Sequence, residues 1–480
     1  MPRVRHRPRL ALVLALTAAS ALAACATPPG GRPLPPPADV AGYQDQRSFA
    51  APAAEWPADR WWSAYGDAQL SGLIEEALKS SPTLAQAEAR LKSAQAQTTE
   101  ARAGTLPSLS ADAEIAETEQ TRQIGFPPFI AQLLPAGYRP TGHLALDASF
   151  DLDLFGKNRA ALAAAVSDEA AAKADVAEAR LVLSTAVAQA YADLARLGAE
   201  RTAAAEAVRN RQETGRLTAE RVANGLDTRA ELRLAQAATP TSQAEVDSLD
   251  EQIVLTRHRL AALLGEGPDR GLDIALPATE AVRPFGLPAD LRLHLIGRRP
   301  DIVAARLRAE AAAKRVDAAR AAFFPDVSLT GYLGQQSLGL SQLFSSTAQI
   351  GQLGPAVSLP LFEGGRLRGQ YHGARADYDA AVDAYDATLT QALQDVADAA
   401  ASTKAAELQL ADRQAALTAG EQAYAVARER YQGGLSSYVA VLTAENAVID
   451  ERRAFADAQS RAFSLDITLI RALGGGYAAS

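Results

Sequence analysis

The chain of 480 residues holds a single cysteine, and the residues around it fit a lipid-attachment site. Arg3, Arg5, Arg7 and Arg9 precede an apolar run from Leu10 to Ala24 that is shorter than the roughly 20 residues of a membrane-spanning helix, which predicts a signal peptide over 1–24. Leu22-Ala23-Ala24-Cys25 matches the bacterial lipobox, where the chain is cut before the cysteine and the cysteine is acylated. Cys25 is therefore expected to open the mature protein and to carry lipid. A lone thiol leaves no disulfide framework. Ala26 stands where an aspartate would hold such a chain at the inner membrane, so the outer membrane is the expected destination.

Other chemistry is sparse. Apart from His6, the histidines His143, His258, His294 and His372 are far apart and have no partner at metal-ligand spacing, and no HExxH, P-loop or GxSxG occurs. Nothing here suggests a catalytic residue, a metal or a cofactor. The net charge of -8, without a Lys/Arg stripe interleaved with aromatics, argues against nucleic acid. Paired acids such as Glu75-Glu76 read as solvated helix faces. Without a candidate nucleophile, base or metal cluster, an enzyme is not expected.

Those residues sit in a duplicated frame. Pro82, Ala101, Arg102, Ala103, Pro107 and Ser110 recur about 218 positions on as Pro300, Ala319, Arg320, Ala321, Pro325 and Ser328. Phe155 and Arg159 return as Phe362 and Arg366, while Arg221, Gly225, Leu226, Leu264 and Gly265 return as Arg430, Gly434, Leu435, Leu473 and Gly474. A repeat this long makes two equivalent halves rather than a solenoid. The expected organisation is a signal peptide over 1–24, a lipid anchor and Pro-rich tether over 25–60, a first repeat over 61–265, a linker over 266–297, a second repeat over 298–474 and a tail over 475–480. The tether holds Pro35-Pro36-Pro37 and is too poor in apolar residues to fold alone.

Each half carries two stretches that alternate with period two. From His143 to Phe155 the even positions are apolar, while Asp147, Ser149, Asp151 and Asp153 at odd positions are expected to line a wet lumen. Leu109 to Ile115, Val327 to Leu333 and Leu353 to Leu361 alternate likewise. Stretches of about 10 residues suit tilted transmembrane strands. Four strands cannot close a barrel, and open edges in lipid cost several kcal/mol per unpaired group, so several chains must share one. Two, three or four chains all satisfy that demand.

Two very long helices follow the outgoing strands, from Gly156 to about Ala223 and from Gly364 to about Gln432, each approaching roughly 100 Å at 1.5 Å per residue. Val176, Leu183, Val187, Ala190, Leu194 and Leu197 in one, and Val382, Tyr385, Leu389, Leu393, Val396, Ala400 and Thr403 in the other, form seams at steps of three and four. Each helix meets a glycine turn, Asn224-Gly225-Leu226 or Gly433-Gly434-Leu435, and a return helix, making two helical hairpins.

Several motifs together resemble the TolC-like outer membrane factors, and most closely their lipid-anchored nodulation and drug-efflux branch. They are Trp61-Trp62-Ser63-Ala64-Tyr65-Gly66-Asp67-Ala68-Gln69-Leu70, Gly286-Leu287-Pro288-Ala289-Asp290-Leu291, Arg298-Arg299-Pro300-Asp301-Ile302, Ala318 to Gly331, Asp153-Leu154-Phe155-Gly156 and Leu361-Phe362-Glu363-Gly364-Gly365-Arg366. The resemblance implies an α+β membrane protein: a homotrimer with a shared 12-stranded β-barrel in outer membrane lipid, continued by a periplasmic α-helical barrel. It implies a passive exit duct for small molecules delivered by an inner-membrane pump through a periplasmic adaptor; polypeptide secretion is the alternative. It also assigns the periplasmic tip and adaptor contact to Asn224, Gly225, Leu226, Asp227, Thr228, Glu231, Tyr431, Gly433, Gly434, Leu435, Ser436 and Ser437. Where relatives often carry pore-facing aspartates after the second tip, this chain has Ala440 and Thr443, the candidates for the constriction.

Overall fold

The structure, a computed structural model, describes residues 33–44, 46–119, 121, 137–277, 286–289 and 291–478. Cys25 and most of the loop expected from Glu119 to Thr141 lie outside the described residues. The chain divides into two compact units, one drawing on Met1–Pro36, Lys92–Ala171 and Arg306–Ala384, the other on Pro37–Leu91, Ala172–Ala305 and Tyr385–Ser480.

The first unit contains the sheet. Strands β2 (Ser108–Thr118), β3 (Arg139–Asp151), β5 (Asp326–Leu338) and β6 (Gln349–Ser358) form one antiparallel sheet in the order β2-β3-β5-β6, leaving β2 and β6 as edges. The register puts Ser110, Asp147, Tyr332 and Gln352 side by side in one row and Ser108, Ser149 and Thr330 in the next, so one face is polar across all four strands. The other face carries Leu109, Leu146, Leu333 and Leu353, and it is open: Leu109 is 72% exposed and Leu353 78%. A sheet in water buries its apolar face, so this one is built for an apolar surrounding.

Helices α2 (Pro82–Ala103) and α7 (Pro300–Ala321) lead into β2 and β5, and the two 67-residue helices α3 (Lys157–Ala223) and α8 (Arg366–Gln432) leave β3 and β6. In this unit Ala309, Ala312, Val316 and Phe323 pack against Leu367, Tyr371, Tyr378 and Val382, giving α7 and α8 a common core.

Two strand ends fall short of the expected limits. Alternation persists to Phe155, yet β3 stops at Asp151, and Leu359 and Leu361 lie beyond β6. Asp153 is therefore not a strand residue. Its backbone turns left-handed at φ 47°, and its carboxylate accepts from the backbone N–H groups of Asn158 and Arg159 at 3.0 and 2.9 Å, capping the start of α3. Asp147, Ser149 and Asp151 remain on β3.

The second unit is helical. A short 3-10 turn over Trp61–Tyr65 and helix α1 (Ala68–Ser80) bring Trp61, Tyr65, Leu70 and Ile74 against Leu183, Val187, Tyr191 and Leu194 of α3, Leu260 and Leu264 of α4 (Arg229–Leu264), and Ile467 and Ile470 of α9 (Tyr438–Ala472). The seam expected in α3 is thus real packing. A second cluster joins Leu291 and Leu295 of α6 (Leu291–Arg298) to Tyr385, Leu389 and Val396 of α8. Arg299, 8% exposed, ties this region together through Asp301, Asp395 and the carbonyl of Ala472. Helix α5 (Pro268–Leu272) is a single turn after α4.

The stretch read as a loose tether is docked where it is described. Leu34 packs on the first unit's core and Pro35 accepts a 2.6 Å hydrogen bond from Tyr378. In the second unit Val40 is buried, Tyr43, Phe49 and Trp56 lie on the α8 cluster, and β1 (Ala53–Ala54) pairs in parallel with β4 (Leu287–Pro288). Sparse apolar residues cannot fold alone, but they can cover a core that already exists.

Candidate channel entrance at the hairpin tips

Both glycine turns belong to the second unit and share one backbone device. At the end of α3, Gly225 has φ 71°, its N–H reaches the Val222 carbonyl at 3.0 Å, and the Leu226 N–H reaches the Arg221 carbonyl at 2.8 Å. At the end of α8, Gly434 has φ 73°, its N–H reaches Tyr431 at 3.0 Å, and Leu435 reaches Arg430 at 2.7 Å. This paired closure consumes carbonyls that a helix end leaves free, and it needs a left-handed residue that glycine supplies without a Cβ penalty. Asn224 adds a 2.9 Å side-chain bond to the Glu220 carbonyl.

The side chains differ between the tips. Thr228 caps α4: its hydroxyl accepts from the Glu231 N–H at 3.3 Å, and its own N–H donates to the Glu231 carboxylate at 2.8 Å, a complete capping box. Ser437 stands at the N-cap position of α9 and makes no side-chain hydrogen bond there. Asp227 is not a free tip acid. Its side chain is 6% exposed and takes two bonds from Arg221, at 2.9 and 3.2 Å, and one from the Tyr431 hydroxyl at 2.5 Å. Arg221 also donates to the Tyr431 carbonyl at 3.2 Å and lies 4.7 Å from the centre of its ring, so one guanidinium closes the first tip and grips the second.

These contacts set the charge states. Burial pushes the Asp227 carboxyl up, but the Arg221 and Tyr431 bonds outweigh it and hold the group below its ordinary value. Burial and the neighbouring Asp227 push the Tyr431 hydroxyl up to about 12. Tyr431 is fully buried, with Tyr438 and Val441 beside it, while Leu226, Gly433 and Leu435 are exposed, Leu435 at 72%. Ala440 and Thr443 face solvent, the Thr443 hydroxyl bonded back to the Val439 carbonyl at 2.9 Å.

One polar layer near the tips went unread in the sequence. Arg211 of α3, 9% exposed, donates to Ser242 at 2.5 Å, to the Ala238 carbonyl at 3.2 Å and to Asn446 at 2.6 Å, and its Nε lies 3.6 Å from Glu445 of α9. Burial pushes the Glu445 carboxyl up against the pull of Arg211. The available signal was spacing: Arg211 falls at seam steps from Ala204 and Val208, and Glu445 falls between Val441 and Val448. Among the described residues no three His, Cys, Asp or Glu side chains converge on a metal position, and no helix is long and apolar enough to cross a membrane.

A duplicated chain with a four-stranded, outwardly apolar sheet and two helical hairpins agrees with what known proteins show. The family described as outer membrane efflux protein matches residues 73–266 and 293–475. The chain belongs to that family. The chain is 35% identical over 327 residues to the fusaric acid resistance protein FusA of Burkholderia cepacia, an alignment covering 67% of this chain and 61% of that relative. Multidrug resistance outer membrane protein MdtP of Shigella flexneri is 31% identical over 440 residues, 88% of each chain. Among solved structures, the outer membrane protein VceC of Vibrio cholerae superposes with a TM-score of 0.82 at 43% identity, over 88% of this chain and all of that one. The fold is that of this outer membrane efflux family: strands for a transmembrane barrel and helices for a tunnel in the periplasm.

Proposed function

We propose that this chain is the outer membrane channel subunit of an efflux system, a passive exit duct for small molecules handed over by an inner-membrane pump through a periplasmic adaptor. The observation that carries this reading is the sheet, whose exposed leucine face opposes a continuous polar row and whose two edges have no strand partner among the described residues. In lipid such edges must pair, and three copies would supply 12 strands for a closed barrel. The likeness to FusA and MdtP supports efflux over polypeptide secretion. On this reading Asp147, Ser149 and Asp151 line the barrel lumen, and the tips form the entrance and the adaptor contact, with Ala440 and Thr443 at the constriction. Residues 61–265 and 298–474 are the two working repeats joined by 266–297. Cys25 is the acylated residue and residues 25–60 run from the lipid to the body.

Two measurements on the full chain test this. Native mass spectrometry in detergent should show three copies, and a stable monomer with its full strand content would overturn the shared barrel. Cys25→Ser should lose the acyl mass while still fractionating with the outer membrane, since a single chain of lipid anchors weakly and a barrel firmly. A folded, quantitatively soluble variant would overturn the reading.

A further inference from the structure

The two halves of the chain meet where β3 pairs with β5, and beside that pairing Phe155 stacks on Phe324, with ring centroids 4.8 Å apart and planes 12° apart. Phe155 lies between β3 and α3, and Phe324 between α7 and β5. The internal repeat carries Phe155 onto Phe362 and Phe324-Pro325 onto Leu106-Pro107. Those two equivalents lie at opposite edges of the sheet, Phe362 just after β6 and Leu106 just before β2. Both are more exposed than their counterparts: Phe362 is 89% exposed against 47% for Phe155, and Leu106 is 56% exposed where Phe324 is half-buried.

We propose that Phe362 of one copy packs on Leu106 of the partner subunit, repeating between copies the contact that Phe155 and Phe324 make within one. The proposal rests on the shared-barrel reading and adds which residues seal the seam between copies. The occupant is a second copy because the chain itself shows this joint once, built from the same repeat positions, and a closed ring must use it again at each subunit boundary. An aromatic side chain left in water gains from an apolar partner that covers part of it, and Leu106 stands at the repeat position of the partner that Phe155 already has.

The second unit carries the same pattern independently. In the second half, α9 presents Phe463 to the core that contains α3, and the Ser464 carbonyl accepts from Gln189 of α3 at 2.7 Å. The equivalents on α4, 209 positions earlier, are Val254 and Leu255, both exposed, Leu255 at 57%. The uncovered side of α4 is thus the side that α9 gives to α3, and the repeat equivalent of α3 is α8, here of a neighbouring copy.

The test uses the full chain in its membrane with Leu106→Cys and Phe362→Cys combined and treated with a short bismaleimide. Denaturing gels should show a ladder ending at three copies. Each single variant should run as one chain, which also controls for Cys25, and the pair Phe155→Cys with Phe324→Cys should link only internally. A ladder from either single variant, or no ladder while native mass spectrometry still counts three copies, overturns the contact and leaves the trimer standing. A ladder reaching four keeps the contact and overturns three-copy closure. A chain that remains single overturns both.

Discussion

The two hairpin tips have the same backbone and different chemistry. Gly225 and Gly434 close their helices with the same pair of hydrogen bonds, 209 positions apart. At that spacing Asp227 becomes Ser436, Thr228 becomes Ser437 and Glu231 becomes Ala440. The first tip therefore has a buried ion pair and a full capping box, whereas the second has an uncapped helix start and a buried Ser436 hydroxyl without a partner. What holds the end of α8 comes from the first tip, through Arg221 on the Tyr431 carbonyl and Asp227 on its hydroxyl. Duplication kept the turn, and divergence moved the fastening to one side.

Removing that fastening should have the largest effect. Arg221→Ala leaves the Asp227 carboxylate with only Tyr431 beside it, a loss of about 2 kcal/mol, as for charge-assisted hydrogen bonds at a tip close to solvent. Hydrogen exchange should rise at both tips; a rise confined to 224–228 would mean that the tips are independent. The pH dependence has a definite sign. The Asp227 contribution, from a lowered carboxyl, is complete above the unfolded value of about 3.9 and is lost as pH falls through the lower folded value. The Tyr431 contribution, from a raised hydroxyl, is complete below about 10 and is lost as pH rises through about 12. The fastening should therefore hold from mildly acidic to mildly alkaline pH, and tip protection factors, corrected for the base-catalysed intrinsic exchange rate, that fell between pH 6 and 8 would contradict it.

The turns themselves should be equal. A Cβ at either glycine meets open space, with only an Arg221 nitrogen 4.0 Å from the Gly434 position, so the cost is the left-handed backbone alone. Gly225→Val and Gly434→Val should each lose roughly 1–2 kcal/mol locally. Each should impair complementation in a drug-susceptibility assay at normal assembly levels. If both variants transport normally, the tips are not the entrance.

How far these features could be read from the sequence depends on whether they are local. The glycine turns, the long helices and the four strands follow from periodicity and repetition, which act over a few neighbouring residues. The strand end does not, because Leu152 and Leu154 continue the alternation while Asp153 has already turned left-handed to cap α3. Composition judged the stretch around Val40 and Trp56 by whether it could fold alone, when its apolar residues dock on α8. The sequence placed Asp227 at the tip but not its partners, because Arg221 lies six residues away and Tyr431 204 away, a convergence that only the fold creates.

Capping separates the tips by a smaller amount. Thr228→Ala removes a formed side-chain bond and should cost about 1 kcal/mol, while Ser437→Ala removes none and should cost close to nothing. Paired thermal or exchange measurements on the two variants check this. Equal losses would show that Ser437 caps α9 in solution after all.

The smallest effect runs the other way. Ala440 occupies the third helical position after Ser437, so Ala440→Glu supplies the missing half of a capping box and should stabilise the start of α9 by about 0.5 kcal/mol. The same variant probes the charge at the entrance. A trivalent cation is held tightly only where several free carboxylates converge, and neither first-tip acid is free: Asp227 is buried against Arg221, and Glu231 is bonded to the Thr228 N–H. Single-channel recordings should show weak block of the unmodified channel by a trivalent cation on the periplasmic side. Thr443→Asp, whose exposed position offers no backbone N–H to engage, should strengthen block more than Ala440→Glu, whose carboxylate is drawn back to its own helix start. Tight block of the unmodified channel, abolished by Glu231→Gln, would instead mean that the capping box opens and the first tip provides the acidic ring.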